Sequence, residues 1–297
     1  MNLLEFSGKY KPIIEKALAL YFQKSFSDNR DILRQAMHYS LLSEAKRIRP
    51  LLIIAVFLLF NEEKNLKKIL PLACAVEMVH TYSLIHDDLP CMDDDDYRRG
   101  RLTCHKKYGE DMAVLAGDTL NTFALEVVAQ EMPCFYEAEK VLDLMVRFTR
   151  DLGIEGMAGG QVLDLKVDEK VRTADHLKQI HNLKTGALLQ FCTSAPAFLE
   201  GGTKQEQAAL AVFGQRMGLL FQIIDDILDV KGKNLGKSLQ KDIKQNKLTY
   251  VTLFGLEEAQ NKAQKEYEGA KDSLFSLKNK NVEILQVFLD YILERDK

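Results

Sequence analysis

Turn-forming residues are scarce in this 297-residue chain: 17 glycines and 6 prolines, together below the roughly 12% that proteins usually carry. So few breakers, in a text rich in Leu, Ala, Lys and Glu, argue against a turn-dense β fold and for helices. Cysteine is sparse and scattered. Cys74, Cys91, Cys104, Cys134 and Cys192 are odd in number and contain no Cys-x-x-Cys, which argues against a disulfide framework or a cysteine-rich zinc site and suits a reducing compartment. No charge of one sign dominates. The net charge is −3 and the pI about 6.1, so there is no global electrostatic case for nucleic acid. Long hydrophobic runs are missing too. The most apolar stretch, Leu51 to Phe60, is ten residues long, half of the about 20 a membrane span needs. Met1 to Phe6 lacks the charged region and apolar run of a signal peptide. We therefore expect no membrane span and a cytoplasmic location.

What is present is a globular composition, 46% hydrophobic and 28% charged, enough for a sizeable core. Helical periodicity runs throughout and no convincing series of alternating strands interrupts it. We expect helices over 51–60, 72–89 (stopped by Pro90), 113–131, 137–152, 177–199 and 205–230, a polar loop over 231–246, and an amphipathic stretch over 249–297. Gly153, Gly156, Gly159 and Gly160 mark a kink or close backbone approach. No period of 20–50 residues repeats, which argues against a solenoid, and no linker divides the chain. The expectation is a single all-α domain spanning 1–297.

Two acidic clusters stand at the ends of apolar helices. In His86-Asp87-Asp88-Leu89-Pro90-Cys91-Met92-Asp93-Asp94-Asp95-Asp96, six carboxylates fall within ten residues. A charge run is usually a solvated loop. This one begins at the C-terminal end of a helix, where the dipole prefers cations. Anions kept there invite a cation, and an all-oxygen set suits hard magnesium rather than zinc. Asp87 and Asp93 would not share a straight helix face, but Pro90 breaks the helix and lets the chain bring Asp93 back. In the second cluster, Asp225-Asp226-Ile227-Leu228-Asp229, Asp225 and Asp229 share a face while Asp226 points about 100° away. Cationic groups surround both: Lys46 and Arg49 on one face, Arg98-Arg99-Gly100-Arg101 just after the first cluster, Lys184-Thr185-Gly186 in a helix, and Lys237, Lys241 and Lys247 behind the second. Singly, each is an ordinary surface side chain. Together they make a pattern in which magnesium and Lys/Arg share a polyanionic phosphate.

These residues resemble the short-chain trans-polyprenyl diphosphate synthases, from about Leu33 to Tyr291. The matching stretches, in order, are Lys46 to Pro50, His80 to Gly100, Leu115 to Asp118, Gly159 to Leu165, Lys184 to Ala187, Phe221 to Asp229 and Lys247 to Tyr250. The resemblance implies an all-α isoprenoid synthase fold, its helices surrounding a deep central cavity, and a homodimer. It implies three magnesium ions, with manganese as a substitute, held by Asp87, Asp93, Asp225 and Asp229 with Asp88 in support. It assigns Lys46, Arg49, His80 and Arg99 to isopentenyl diphosphate, and Arg98, Lys184, Thr185, Gln222, Lys237 and Lys247 to the allylic diphosphate. The implied reaction condenses dimethylallyl or geranyl diphosphate with isopentenyl diphosphate and releases pyrophosphate. Ala45 and Gln240 stand where the family usually has glycine.

Tyr82 lies five residues before Asp87, about 7.5 Å along a helix. With Ser83 beside it, it can floor a cavity beneath a prenyl tail; the resemblance implies that an aromatic there, together with the two-residue insertion at Pro90 and Cys91, goes with a farnesyl product, with a geranylgeranyl or geranyl product as the alternative. His80, His86 and Asp87 also resemble the ligands of an all-helical His-Asp metal phosphohydrolase, a reading that leaves the second cluster and the cations unexplained. A non-catalytic helical interaction protein predicts no magnesium-dependent ligand.

Overall fold

The computed structural model describes residues 1–25, 31–165, 173–231 and 248–295. Their contacts group the chain into two compact units, Leu4–Ile54 with Glu62–Met145, and Met1–Leu3 with Ala55–Asn61 and Val146–Lys297.

The first unit holds α1 (Leu3–Ser25), α2 (Ile32–Leu41), the opening of α3 (Ile48–Phe60), α4 (Leu70–Asp87), α5 (Cys104–Tyr108), α6 (Glu110–Glu131) and the opening of α7 (Ala138–Leu152). Its centre is α4, buried continuously from Pro71 to Val79. A helix apolar on every side belongs inside a protein, and each fully buried large aliphatic or Met side chain contributes about 1.5–3 kcal/mol. The neighbour α6 presents the small residues Ala113, Ala116, Gly117 and Ala124 to the interior. At Gly117 a Cβ would sit 2.0 Å from the Nε2 of His86 on α4, so a side chain there would displace that imidazole. A two-residue hairpin, β1 (Tyr97–Arg98) against β2 (Arg101–Leu102), is the one place among the described residues where strands pair. The sequence reading held no strand here, because pairs this short carry no alternation.

The second unit holds α8 (Met157–Leu165), α9 (Ala174–His181), a π-helical turn (Asn182–Gly186), α10 (Ala187–Leu199), α11 (Lys204–Lys231), α12 (Tyr250–Phe254), α13 (Leu256–Leu274) and α14 (Glu283–Glu294). The long α11 packs on α10 and α13, with Leu210, Phe213, Met217, Leu220 and Ile223 buried. Gly214 and Gly218 admit close approach: a Cβ would meet Thr193 Oγ1 at 2.2 Å or the Gly186 Cα at 2.8 Å. Phe148 stacks on Phe191 at 4.7 Å between ring centroids.

The expected helices are present with shifts of a few residues. The expected 177–199 helix is α9 and α10 joined by the π turn. The glycine-rich kink separates α7 from α8, and the amphipathic C-terminal stretch divides into α12, α13 and α14. Helices α1 and α2 went unread. The expected loop over 231–246 lies almost wholly outside the described residues. Among the described residues two helices, over Glu110–Cys134 and Lys204–Val230, are long and apolar enough to cross a membrane by length and composition, yet 44% and 50% of those windows are already buried inside the protein, as in core helices.

Candidate active site

In the first unit α4 ends at Asp87 and Asp88 caps it. Beyond Pro90 the chain turns back: the amide of Asp93 donates to the Asp87 carbonyl at 2.9 Å, that of Asp94 to Leu89 at 3.1 Å and that of Asp95 to Asp88 at 3.2 Å. This is the return that Pro90 suggested. Asp94 takes a left-handed φ of 49° to complete it. Asp87 and Asp93 remain half-exposed. Asp88 is buried, and both its carboxylate oxygens accept from Arg98 Nε, at 2.7 and 2.8 Å. The structure therefore brings Asp88, expected in support of a metal, to Arg98.

The hairpin carrying Arg98 and Arg99 is pinned to α2, where the Tyr39 hydroxyl donates to the Leu102 carbonyl at 2.8 Å. Arg101 and Lys107 lie over the Tyr39 ring, 4.1 and 4.0 Å from its centroid. Arg49 Nη1 comes within 3.3 Å of His80 Nε2. Burial first, then the nearby charges of Arg49, Arg99, Arg98 and Arg47, hold the His80 imidazole well below its ordinary pKa, so it is neutral at pH 7. Lys46 is exposed in the loop between α2 and α3, and Ala45, in the family's glycine position, is buried. Tyr82 is half-buried and edge-on to His86, with centroids 5.8 Å apart. Burial and the Asp87 charge push its phenol up to about 12. Ser83 donates to the His80 carbonyl at 3.0 Å.

In the second unit α11 separates the roles of its aspartates by direction. Asp225 and Asp229 are half-exposed and Asp226 is buried. Asp226 accepts the amide of Tyr250 at 2.7 Å and so anchors the start of α12. Gln222 Nε2 donates to Asp225 at 3.3 Å. Arg295 donates to Asp225 and, at 2.8 Å, to the Phe221 carbonyl, its guanidinium lying 3.9 Å over the Phe221 ring. Lys184 and Thr185 sit in the π turn, a feature frequent at functional sites. Lys184 Nζ pairs with Asp164 at 2.6 Å, and α8 lies so close that a Cβ on Gly160 would meet the Lys184 amide nitrogen at 2.2 Å. His181, buried and 3.9 Å from Asp226, is lowered to about 4, chiefly by burial.

Sequence reasoning gave no role to Asp164, His181, Asp226, Arg295 or Glu77. Asp164 lay inside a matched stretch and Asp226 inside the cluster, so both had a signal. Arg295 had none. Lys237, Lys241, Lys247 and Gln240 lie outside the described residues.

Among the described residues no three His, Cys, Asp or Glu groups converge into a ready cage. The donors nevertheless fit a hard divalent cation. All are carboxylates, and magnesium is commonly held by one or two of them plus substrate phosphate rather than by an all-protein cage.

An all-helical chain with folded-back and helix-borne aspartates beside lysine and arginine defines an enzyme that handles diphosphates. The chain belongs to the polyprenyl synthetase family, whose model matches residues 30–286; its activity is prenyl transfer. It is 41% identical to the farnesyl diphosphate synthase of Bacillus subtilis (strain 168), over 99% of each chain. It is 43% identical to the heterodimeric geranylgeranyl pyrophosphate synthase large subunit 1 of Arabidopsis thaliana, over 89% of this chain and 72% of that one. A solved FPP/GFPP synthase from Zymomonas mobilis in its apo form superposes with a TM-score of 0.83 at 32% identity, covering 98% of both chains. A geranyltransferase structure from Legionella pneumophila gives 0.82 at 32% identity, again with 98% of both chains covered.

Proposed function

We propose that the chain condenses isopentenyl diphosphate with dimethylallyl and then geranyl diphosphate to give farnesyl diphosphate, as a magnesium-dependent cytoplasmic homodimer. The observation that carries this reading is the folded-back acidic loop, in which the Asp93 amide on the Asp87 carbonyl sets two half-exposed aspartates side by side at the end of the helix whose His80 is ringed by arginines.

Asp87, Asp93, Asp225 and Asp229 would hold three magnesium ions, with manganese as a substitute. When bound, the metal neutralises diphosphate oxygens and stabilises the departing pyrophosphate. Arg98, oriented by Asp88, and Lys184, oriented by Asp164, bind the allylic diphosphate. Lys237 and Lys247 are further candidates outside the described residues. The Thr185 carbonyl and the Gln222 amide direct dipoles toward the allylic cation. Lys46, Arg49, His80 and Arg99 bind isopentenyl diphosphate, whose double bond attacks that cation. The proton then leaves to pyrophosphate. A dry prenyl pocket keeps water from the cation.

A second reading, a geranylgeranyl product, is favoured by the 43% identity to the Arabidopsis protein. Tyr82, with Ser83 beside it, decides between the two. The deciding experiment incubates the protein with both diphosphates and magnesium and measures product chain length. A fifteen-carbon product that lengthens in Tyr82→Ala is expected. Twenty carbons from the wild type would establish the second reading, and no prenyl transfer would end both.

A further inference from the structure

Helix α4 carries one buried carboxylate, Glu77, in an otherwise apolar run from Pro71 to Val79. An uncompensated charge in such a place is costly. Its partner is Arg47, whose Nη1 donates to Glu77 at 2.6 Å, with both side chains only 1–2% exposed. Arg47 Nη2 also donates to the carbonyls of Leu41 and Ser43, both at 2.9 Å. One guanidinium thus ties the end of α2 and the loop after it to α4.

The backbone of Arg47 is in the left-handed region, φ 53°, which residues with a Cβ avoid. Strain of this kind persists where surrounding contacts over-determine it, and it clusters at functional sites. Among the described residues the other two non-glycine residues with positive φ are Asp94 and Arg99, and both also lie among the residues given roles above or beside them. Lys46 precedes Arg47 directly, and Arg49 reaches His80, which lies one helical turn beyond Glu77 on α4. Stability alone is a poor reason for the pair, because apolar replacement of a buried ion pair is often neutral or stabilising.

We infer that Arg47 and Glu77 are positioning residues for the isopentenyl diphosphate pocket. The pair holds the loop in the strained conformation from which Lys46 and Arg49 reach the substrate, and it places a carboxylate among arginines that would otherwise repel one another. This rests on the roles proposed above for Lys46, Arg49, His80 and Arg99.

The test is steady-state kinetics on the full chain with each substrate varied separately. The double variant Arg47→Met/Glu77→Leu leaves no buried charge unpaired and cuts the ties to the Leu41 and Ser43 carbonyls. It should stay folded and raise KM for isopentenyl diphosphate about tenfold or more, while KM for geranyl diphosphate and kcat stay within about twofold. Arg47→Lys and Glu77→Asp keep the charges but shorten or lose the ties, and each should raise the same KM by less; these two decide if the double variant does not fold. An unchanged KM for isopentenyl diphosphate overturns the inference. So does a fall in that KM, or an equal rise for both substrates, the sign of general damage. Wild type that shows no isopentenyl-dependent elongation overturns the functional reading and this inference with it.

Discussion

Asp87 and Asp88 are the same letter written twice, and their surroundings separate them. Asp88 is buried and spends both oxygens on Arg98, while Asp87 is half-exposed at the helix end. Asp88→Asn strands a largely buried guanidinium and should cost about 3 kcal/mol of stability, read as a shifted urea midpoint. Asp87→Asn should leave that midpoint nearly unmoved while turnover falls by two orders of magnitude or more. Equal stability losses in the two variants would refute the division. Asp225 and Asp226 repeat the arrangement. The spacing along a helix told Asp226 apart from Asp225 in the sequence, because 100° of rotation is fixed by helix geometry. Nothing comparable told Asp88 apart from Asp87, because its direction depends on where the chain goes after Pro90. Gly160 makes a similar point. The glycine pattern marked a close approach, and the backbone it approaches, at Lys184, is visible only in the fold. Gly160→Ala forces that backbone to move and should lower the melting temperature and raise KM for the allylic substrate together.

Between residues 177 and 199 the periodicity reads as a continuous helix, and the chain delivers one with a π turn at Asn182–Gly186. A π turn inserts one residue, so the apolar stripe slips by only about 100°, too small a phase change to notice across so short a segment. The consequence is local and chemical: Lys184 and Thr185 occupy a register that an uninterrupted α-helix would not give them. Deleting Leu183 should restore regular α-helix. Far-UV circular dichroism is expected to retain wild-type helicity, while prenyl transfer drops at least a hundredfold. Retained activity would show that the turn is incidental. The helix ends were legible where a breaker stood next to them, as with Pro90 and Pro133. Helices α1 and α2 carried no motif that called for a reading, and the hairpin over 97–102 was too short to leave an alternation.

For the whole chain, two histidines with lowered pKa values, His181 buried and His80 half-buried, set a pH dependence. His181 is lowered to about 4, and His80 lies well below its ordinary value. Their stabilising contribution is complete above the unfolded value of about 6.5. It is lost as pH falls below that value, where the unfolded state takes up protons the folded state refuses, at up to about 1.4 kcal/mol per pH unit for each group. Asp151, raised to about 6 by burial, acts in the opposite sense, since the folded state gains its proton first. With two groups against one, urea midpoints should fall between pH 7 and pH 5, and His181→Gln should flatten the slope. A flat profile in the wild type would contradict the desolvation of both imidazoles. Composition excluded the classes it could exclude, and paired acidic and basic clusters carried the family and the reaction. Buried counter-charges such as Glu77 were illegible, because a lone carboxylate in an apolar stretch does not name its partner.

The thiols divide by depth: Cys74, Cys104 and Cys192 are buried, whereas Cys91 and Cys134 are exposed. Cys91 lies in the returning loop itself, two residues before Asp93. With Cys134 replaced by serine, a maleimide dye on Cys91 becomes a reporter of cation uptake that requires neither turnover nor a prenyl substrate. The same exposure dictates handling, since preparations kept without reductant will accumulate covalent dimers through these two sulfurs.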